Sequence, residues 1–182
     1  IQSSMNEHQH ITSISQVHDY FGWAKPLHPL VSIIRTDAMF DDDRLKGQKF
    51  VLDLYQISLK SGFEGELRYG RHAYDFQEGT IVFTAPGQAI SFEGEHLSDA
   101  AEGWTLLFHP DLIRDAELGR EVGQYALFNY DVHEALHLSD REKQSLAEVI
   151  TKIEQELQQN IDRHSRKLIV SNIQLLLDYC MR

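Results

Sequence analysis

Five consecutive residues, His133-Glu134-Ala135-Leu136-His137, match the H-E-x-x-H pattern of zinc peptidases. On a helix this spacing places two imidazoles on one face, where they can hold zinc while the glutamate acts as a base. The context argues against a helical motif, because Ser139 has the features of a helix cap and therefore places the motif before the helix. A third ligand would have to come from Glu154 or Glu156, which we expect to face solvent. A zinc hydrolase built on this motif is kept as an alternative.

Other residue patterns that could support catalysis are weak. Metal-binding barrels of the cupin type supply a His-x-His pair, a Glu and a later His from neighbouring strands. The corresponding stretch offers only His72, and residues 88–91 contain no histidine, so we expect no metal and no cofactor. Cys180 lies on a helix face, where a core or interface role is expected. The sequence predicts that the chain is not an enzyme, with a metal-independent cupin enzyme such as an isomerase as the alternative.

Composition limits the class of protein. The chain has 182 residues with a net charge of -11, from 17 Lys+Arg and 28 Asp+Glu. Such an acidic chain repels phosphate backbones and carries no basic cluster that could bind DNA by itself. No apolar run reaches the roughly 18 residues of a membrane span, and one cysteine excludes an internal disulfide. We expect a cytoplasmic protein with no membrane partner. The start at Ile1 and the helical pattern still running at Arg182 suggest a piece of a longer protein.

Turn-forming residues between Tyr69 and Gly94 predict short antiparallel strands. Glu78-Gly79 and Pro86-Gly87 mark sharp reversals, since Gly allows positive φ and Pro presets φ. The stretch between them, residues 80–84, is β-branched and aromatic, as strands are. Further strands are predicted at residues 30–34, 49–60, 65–69, 89–93 and 103–108, with a break at Ser61-Gly62. Closely spaced short strands predict a sandwich or a small barrel, and a small barrel usually holds one small ligand or metal.

Helical patterns flank the predicted barrel. Residues 13–22 predict a short helix that Ser13 caps and Gly22 ends. After Ser139, two apolar stripes predict a helical hairpin over residues 140–159 and 163–181. The stripes comprise Leu146, Val149, Ile150, Ile153 and Leu157, then Leu168, Ile169, Asn172, Ile173, Leu176 and Tyr179. The predicted organisation is an arm with a short helix (1–27), a barrel (28–110), a connector with short helices (111–138) and the hairpin (139–182).

This order of elements resembles the N-terminal effector-binding and dimerisation region of AraC/XylS-type transcriptional regulators. The resemblance is carried by residues 28–32, 69–71 with 74–76, 86–88, 103–112 and 134–139. It implies a mainly β fold with α, in which a cupin-like antiparallel β-barrel (jelly roll) precedes the helical hairpin. It also implies that the barrel binds a small-molecule effector without metal, that the hairpin forms a homodimer, and that DNA is bound through a helix-turn-helix domain absent from this chain.

The resemblance further implies three ligand-binding positions. In an arabinose-sensing member of the family, an Arg, a Tyr and a Trp face the sugar. The matching positions here are Lys60, Phe92 and Thr105. All three residue types differ, which argues against arabinose as the effector.

Overall fold

The computed structural model describes residues 9–35, 48–69, 72–75, 80–128 and 136–181. For residues 61–69, 72–75, 92–102 and 136–137 it describes the backbone alone. Within this part of the chain the strands are β1 (Gln9–Ile11), β2 (Val31–Arg35), β3 (Lys49–Leu52), β4 (Tyr55–Tyr69), β5 (His72–Asp75), β6 (Thr80–Thr84), β7 (Ala89–Phe108) and β8 (Leu136–His137). The α-helices are α1 (Ile14–Phe21), α2 (Glu117–Glu121), α3 (Asp140–Leu157) and α4 (Arg163–Cys180). None of these helices is long and apolar enough to cross a membrane.

Two long strands, β4 and β7, pair antiparallel and run through both parts of the sheet structure. In the first part, β2 flanks β7, β6 flanks β4, and β8 extends β6. In the second part, β3 flanks β7 and β5 flanks β4, while β1 pairs parallel with β3. The molecule is therefore mixed α/β, with two antiparallel-rich sheets that share their longest strands and a C-terminal helix pair. Among the described residues, the strands form an open path and close no barrel.

The strand predictions need three corrections. The predicted break at Ser61-Gly62 is wrong, because β4 continues to Tyr69. Between Ser61 and Phe63 the pairing of β4 with β7 shifts register, as at a β-bulge. A β-bulge accommodates an irregular residue without ending the strand. The strands predicted at 89–93 and 103–108 are the two ends of β7. The single strand predicted at 49–60 is divided between β3 and β4.

The predictions at 80–84 and for the helices are confirmed. Ser13 caps α1 by accepting a hydrogen bond from the Gln16 amide, and Gly22 ends the helix with a left-handed φ of 71°. The capping box at the start of α3 is also present, since Ser139 Oγ accepts from the Glu142 amide while the Glu142 carboxylate accepts from the Ser139 amide. These hydrogen bonds favour the charged form and lower the pKa of Glu142. The Pro86-Gly87 turn is confirmed too, with a φ of 84° at Gly87.

The helix pair packs on one face of the first sheet. Ile57, Leu59, Ile81, Leu106 and Phe108 form one core cluster with Leu146, Val149, Ile150, Ile153, Ile169, Ile173 and Leu176 of α3 and α4. Burial of this many large apolar side chains is the main stabilising term between the two layers. Arg166 of α4 adds a polar anchor by donating to the main-chain carbonyls of Asp111 and Leu112. The hairpin is thus joined to the sheet by a shared apolar core and to the segment after β7 by Arg166.

Candidate functional site

The first sheet has two faces of very different chemistry. Side chains alternate along a strand, so Ile57 and Leu59 of β4 face the helix pair while the residues between them face the other way. That second face, called the polar face here, carries buried polar side chains from four neighbouring strands. They are Ser32 of β2, Gln56, Ser58 and Lys60 of β4, Thr80 and Thr84 of β6, and Thr105 of β7.

All of these polar side chains are buried. Ser58 and Thr84 are 0% exposed, and Lys60 is 5% exposed. A buried polar group costs about 1–3 kcal/mol when it lacks a hydrogen bond, and a buried charge costs more. The opposite face of the same strands meets α3 and α4 mainly with large apolar side chains, apart from Arg35 of β2, which pairs with Glu154 of α3. A core built only for stability would favour apolar residues on both faces, so the polar face indicates a binding role.

Two hydrogen bonds order part of the polar face. Ser58 and Thr105 lie opposite each other in the β4–β7 ladder, and their hydroxyl oxygens are 2.6 Å apart. His18 of α1 contacts the Ser32 hydroxyl through Nε2 at 2.8 Å and the Ala24 carbonyl through Nδ1 at 2.8 Å. Since a carbonyl only accepts, Nδ1 carries the proton, and in the neutral ring Nε2 accepts from the Ser32 hydroxyl. The face is therefore linked to α1 by a directional contact.

Thr84 differs from its neighbours. Its Oγ1 is fully buried and has no hydrogen-bond partner in the described part of the chain. Gln56, which lies opposite it in register, takes part in an interaction within the chain, as do Lys60 and Thr80. In the described part of the chain, Thr84 Oγ1 and Trp104 Nε1 are the buried side-chain polar atoms without a partner, and of these two only Thr84 lies on the polar face.

Apolar residues of the polar face pack beneath α1 and β3. Ile34, Val82 and Leu107 share a core cluster with Ile14 and Val17 of α1 and with Phe50, Leu52 and Ile90. The segment before α1 is tied to the same region, because β1 pairs with β3 and His10 Nε2 lies 2.9 Å from the Asp53 carboxylate. The polar face is therefore interior, and the N-terminal segment covers part of it. Hydroxyls, an amide and one ammonium on an interior wall can orient a small polar molecule.

The structure brings two of the three implied ligand-binding residues together. Lys60 and Thr105 both lie on the polar face, where they are diagonal neighbours across the β4–β7 ladder. Phe92 lies opposite Leu67 in the second part of β7, and its side chain is outside the described residues. The sequence interpretation missed Ser58, Thr80 and Thr84. The sequence pattern that could have identified them is the alternation of small polar residues with large apolar ones along a strand. It becomes informative when both faces of that strand are buried.

The H-E-x-x-H motif is only partly described. His133 and Glu134 lie outside the described residues, whereas His137 lies in β8, opposite Thr80. Since α3 begins at Asp140 after the Ser139 cap, the prediction that the motif precedes the helix is confirmed at its C-terminal end. Within the described side chains, no group of three or more His, Cys, Asp or Glu is placed to hold a metal ion.

Cys180 belongs to the core that joins α4 to the sheet. Burial, with a smaller contribution from Glu142, raises the pKa of its thiol to about 12. A thiol that stays protonated at neutral pH is a poor nucleophile, so Cys180 has a packing role.

No protein-family model matches the chain, and no curated protein matches it significantly.

Proposed function

We propose that this chain is the ligand-sensing and dimerisation region of an AraC/XylS-type transcriptional regulator, with its sheets arranged as a cupin-like jelly roll. The observation that carries the proposal is the difference in chemistry between the two faces of the first sheet. One face is apolar and holds a helix pair, and the other is a buried wall of polar side chains. Two long strands that each serve both sheets also suit a jelly roll.

The small-molecule effector would bind on the polar face. Lys60, Thr105 and the unpartnered Thr84 hydroxyl provide its polar contacts. Because α1 packs on the apolar residues of the same face and contacts Ser32 through His18, a molecule bound there would change how well α1 fits. An effector can shift an equilibrium only by binding one arrangement better than another. The docked position of α1 would be one of these arrangements, and a displaced position would be the other.

A second copy of the chain would bind along α4. The predicted apolar stripe of this helix is divided by the structure into a buried row, with Ile169, Ile173 and Leu176, and an exposed row. The exposed row is Leu168, the half-buried Asn172, Leu175, which the predicted stripe did not include, and Tyr179, spaced four, three and four residues apart. Leu175 and Tyr179 are each 39% exposed. That spacing is the a/d pattern of a coiled coil, in which a single polar Asn sets the register of two helices.

The position of the exposed row suits a dimer that reports on the sheet. The buried row, which lies beside the exposed row around α4, belongs to the core that includes Ile57 and Leu106 of the sheet. A change on the sheet can therefore reach α4 through packed side chains. In the full regulator, the geometry of the dimer would set the spacing of two DNA-binding domains, which this chain does not contain.

Two experiments test the proposal. Sedimentation equilibrium at high micromolar concentration should show a reversible dimer, and a strictly monomeric chain would contradict dimerisation through α4. Reading the gene beyond Arg182 tests the assignment to a regulator. We expect a basic region of about 100 residues with two helix-turn-helix patterns, and a stop codon there would contradict it.

A further inference from the structure

We infer that the polar face binds a small organic acid, with the ligand carboxylate at Lys60 and a second hydrogen-bonding group at Thr84. This inference rests on the proposed function, since it names the chemical class of the effector. It depends on three features of the face: a buried cation, a set of hydroxyl donors beside it, and an unpartnered hydroxyl at the far end.

Lys60 gives the face its charge. Of the described side chains on the polar face, Lys60 alone carries a formal charge. Gly103 lies opposite it on β7 and contributes no side chain there. The lysine already interacts within the chain, so a ligand carboxylate would join or displace an existing partner. Hydrogen bonds between an ammonium and a carboxylate are roughly twice as strong as neutral ones.

The neighbouring hydroxyls add donors of the kind that a carboxylate accepts. Thr80 lies opposite Lys60 on β6, and Ser58 and Thr105 lie one row further along. Ser58 and Thr105 have two hydroxyl protons between them, and their mutual hydrogen bond uses one. The other proton is available to a ligand oxygen. An anionic group at this end of the face would therefore meet a cation and hydroxyl donors together.

The Thr84 hydroxyl marks the far end. It lies opposite Gln56, which is four residues before Lys60 on β4, or roughly 13 Å along the strand. The row between the two ends holds Val82 beside Ser58 and Thr105, and Leu107 lies in the end row with Thr84. A ligand that fits this order has a carboxylate at one end and a hydroxyl or carbonyl at the other. A short hydroxy acid has this arrangement, whereas a neutral sugar has no anionic group for Lys60.

The test is calorimetric titration of the full chain with matched pairs of small molecules. The pairs are 6-hydroxyhexanoate with 6-hydroxyhexanamide and 3-phenylpropionate with 3-phenylpropanamide, and glucose and arabinose form a neutral polyol arm. We expect at least one acid to bind at least about tenfold more tightly than its amide, which corresponds to about 1.4 kcal/mol. Lys60→Met should abolish this preference. Lys152→Met removes a charge from an exposed position of α3 and should retain it.

A second comparison does not depend on Lys60. Hexanoate differs from 6-hydroxyhexanoate only in the hydroxyl expected at Thr84. Thr84→Val should reduce the preference for the hydroxy acid by about tenfold, the range expected when one hydrogen bond is lost, while leaving hexanoate unchanged. If Lys60→Met does not fold, as judged by circular dichroism, Lys60→Arg should keep the preference for acids over amides and this comparison should still hold.

The outcomes separate the inference from the function on which it rests. Equal binding of acids and amides, or an acid preference that survives Lys60→Met, overturns the inference. Binding by the polyols alone also overturns it but leaves effector sensing intact. If no probe of any class binds, the inference fails, while the dimerisation test remains an independent measure of the proposed function.

Discussion

The hydroxyl oxygens of Ser58 and Thr105 lie 2.6 Å apart across two neighbouring antiparallel strands, and both side chains are buried. The pair sits at the centre of the polar face, between Lys60 at one end and Thr84 at the other. Since each hydroxyl is the described partner of the other, the pair can be probed as a unit.

Removing one hydroxyl of this pair should destabilise the folded protein. Thr105→Val leaves the Ser58 hydroxyl buried without its partner, which should lower the free energy of unfolding by about 1–3 kcal/mol. The double variant Ser58→Ala/Thr105→Val should lose less than the sum of the two single variants, with a coupling of roughly 0.5–3 kcal/mol. Urea unfolding measures all four proteins. Strict additivity would show that the two hydroxyls do not interact.

Removing the Thr84 hydroxyl, in contrast, should not destabilise the folded protein. Thr84→Val keeps the shape of the side chain and removes a buried hydroxyl that has no described partner. The free energy of unfolding of the ligand-free protein should stay the same or rise by up to about 1 kcal/mol. Thr105→Val, the same substitution on β7, which is separated from β6 by β4, is the matched control. A loss at Thr84 as large as that at Thr105 would mean that the Thr84 hydroxyl has a stabilising partner.

A charge in the exposed row of α4 should weaken the dimer. Leu175→Glu places a carboxylate at the proposed contact between two copies of the helix, and should raise the dimer dissociation constant by at least about tenfold. Gln155→Glu adds the same charge at an exposed position of α3 and should leave it unchanged. Sedimentation equilibrium of both variants gives the comparison. An unchanged dimer in Leu175→Glu would place the interface elsewhere.

Tyr125 should make stability depend on pH above 10. Burial, followed by its hydrogen bond to Asp178 at 2.8 Å, raises the pKa of Tyr125 from its usual value of 10.0 to about 12. The unfolded chain therefore loses this proton first, so the stabilisation is complete below pH 10 and is lost as the pH rises through the folded pKa.

Spectroscopic titration and unfolding at several pH values check this expectation. In Tyr125→Phe, the free energy of unfolding should fall less steeply between pH 10 and about 12 than in the wild type. Asp178→Asn keeps an acceptor but removes the negative charge, and should bring the pKa of Tyr125 closer to 10. If the free energy of unfolding falls equally steeply with pH in all three proteins, Tyr125 is not the group responsible for the pH dependence.

The sequence predicted the helices better than the long strands, and the reason is the range of the interactions. The ends of α1 and α3 depend on local contacts, made by Ser13 and Ser139 with residues three positions later. The continuity of β4 through Gly62 depends on its ladder with β7, tens of residues away in the chain. Gly is a poor strand residue by local measures, and pairing with a distant strand overrode that preference.

The polar face could be predicted only in part. The resemblance pointed to Lys60 and Thr105, but it did not point to Ser58 or Thr84, whose importance depends on burial. The two rows of α4 were read as one stripe, because Leu168 and Ile169 are adjacent in sequence and equally apolar. Only the packing of the sheet shows that Ile169 is buried while Leu168 is 36% exposed.

The central claim is that the polar face binds the effector while the opposite face of the same sheet holds the helix pair. The most direct measurement is a ¹⁵N–¹H correlation spectrum of the isotope-labelled chain, recorded with and without the tightest-binding small molecule among the acids, amides and polyols. We predict amide shifts concentrated at residues 56–60, 80–84 and 103–107 and in α1. Shifts confined to α3 and α4, or no shifts with any of these molecules, would contradict the claim.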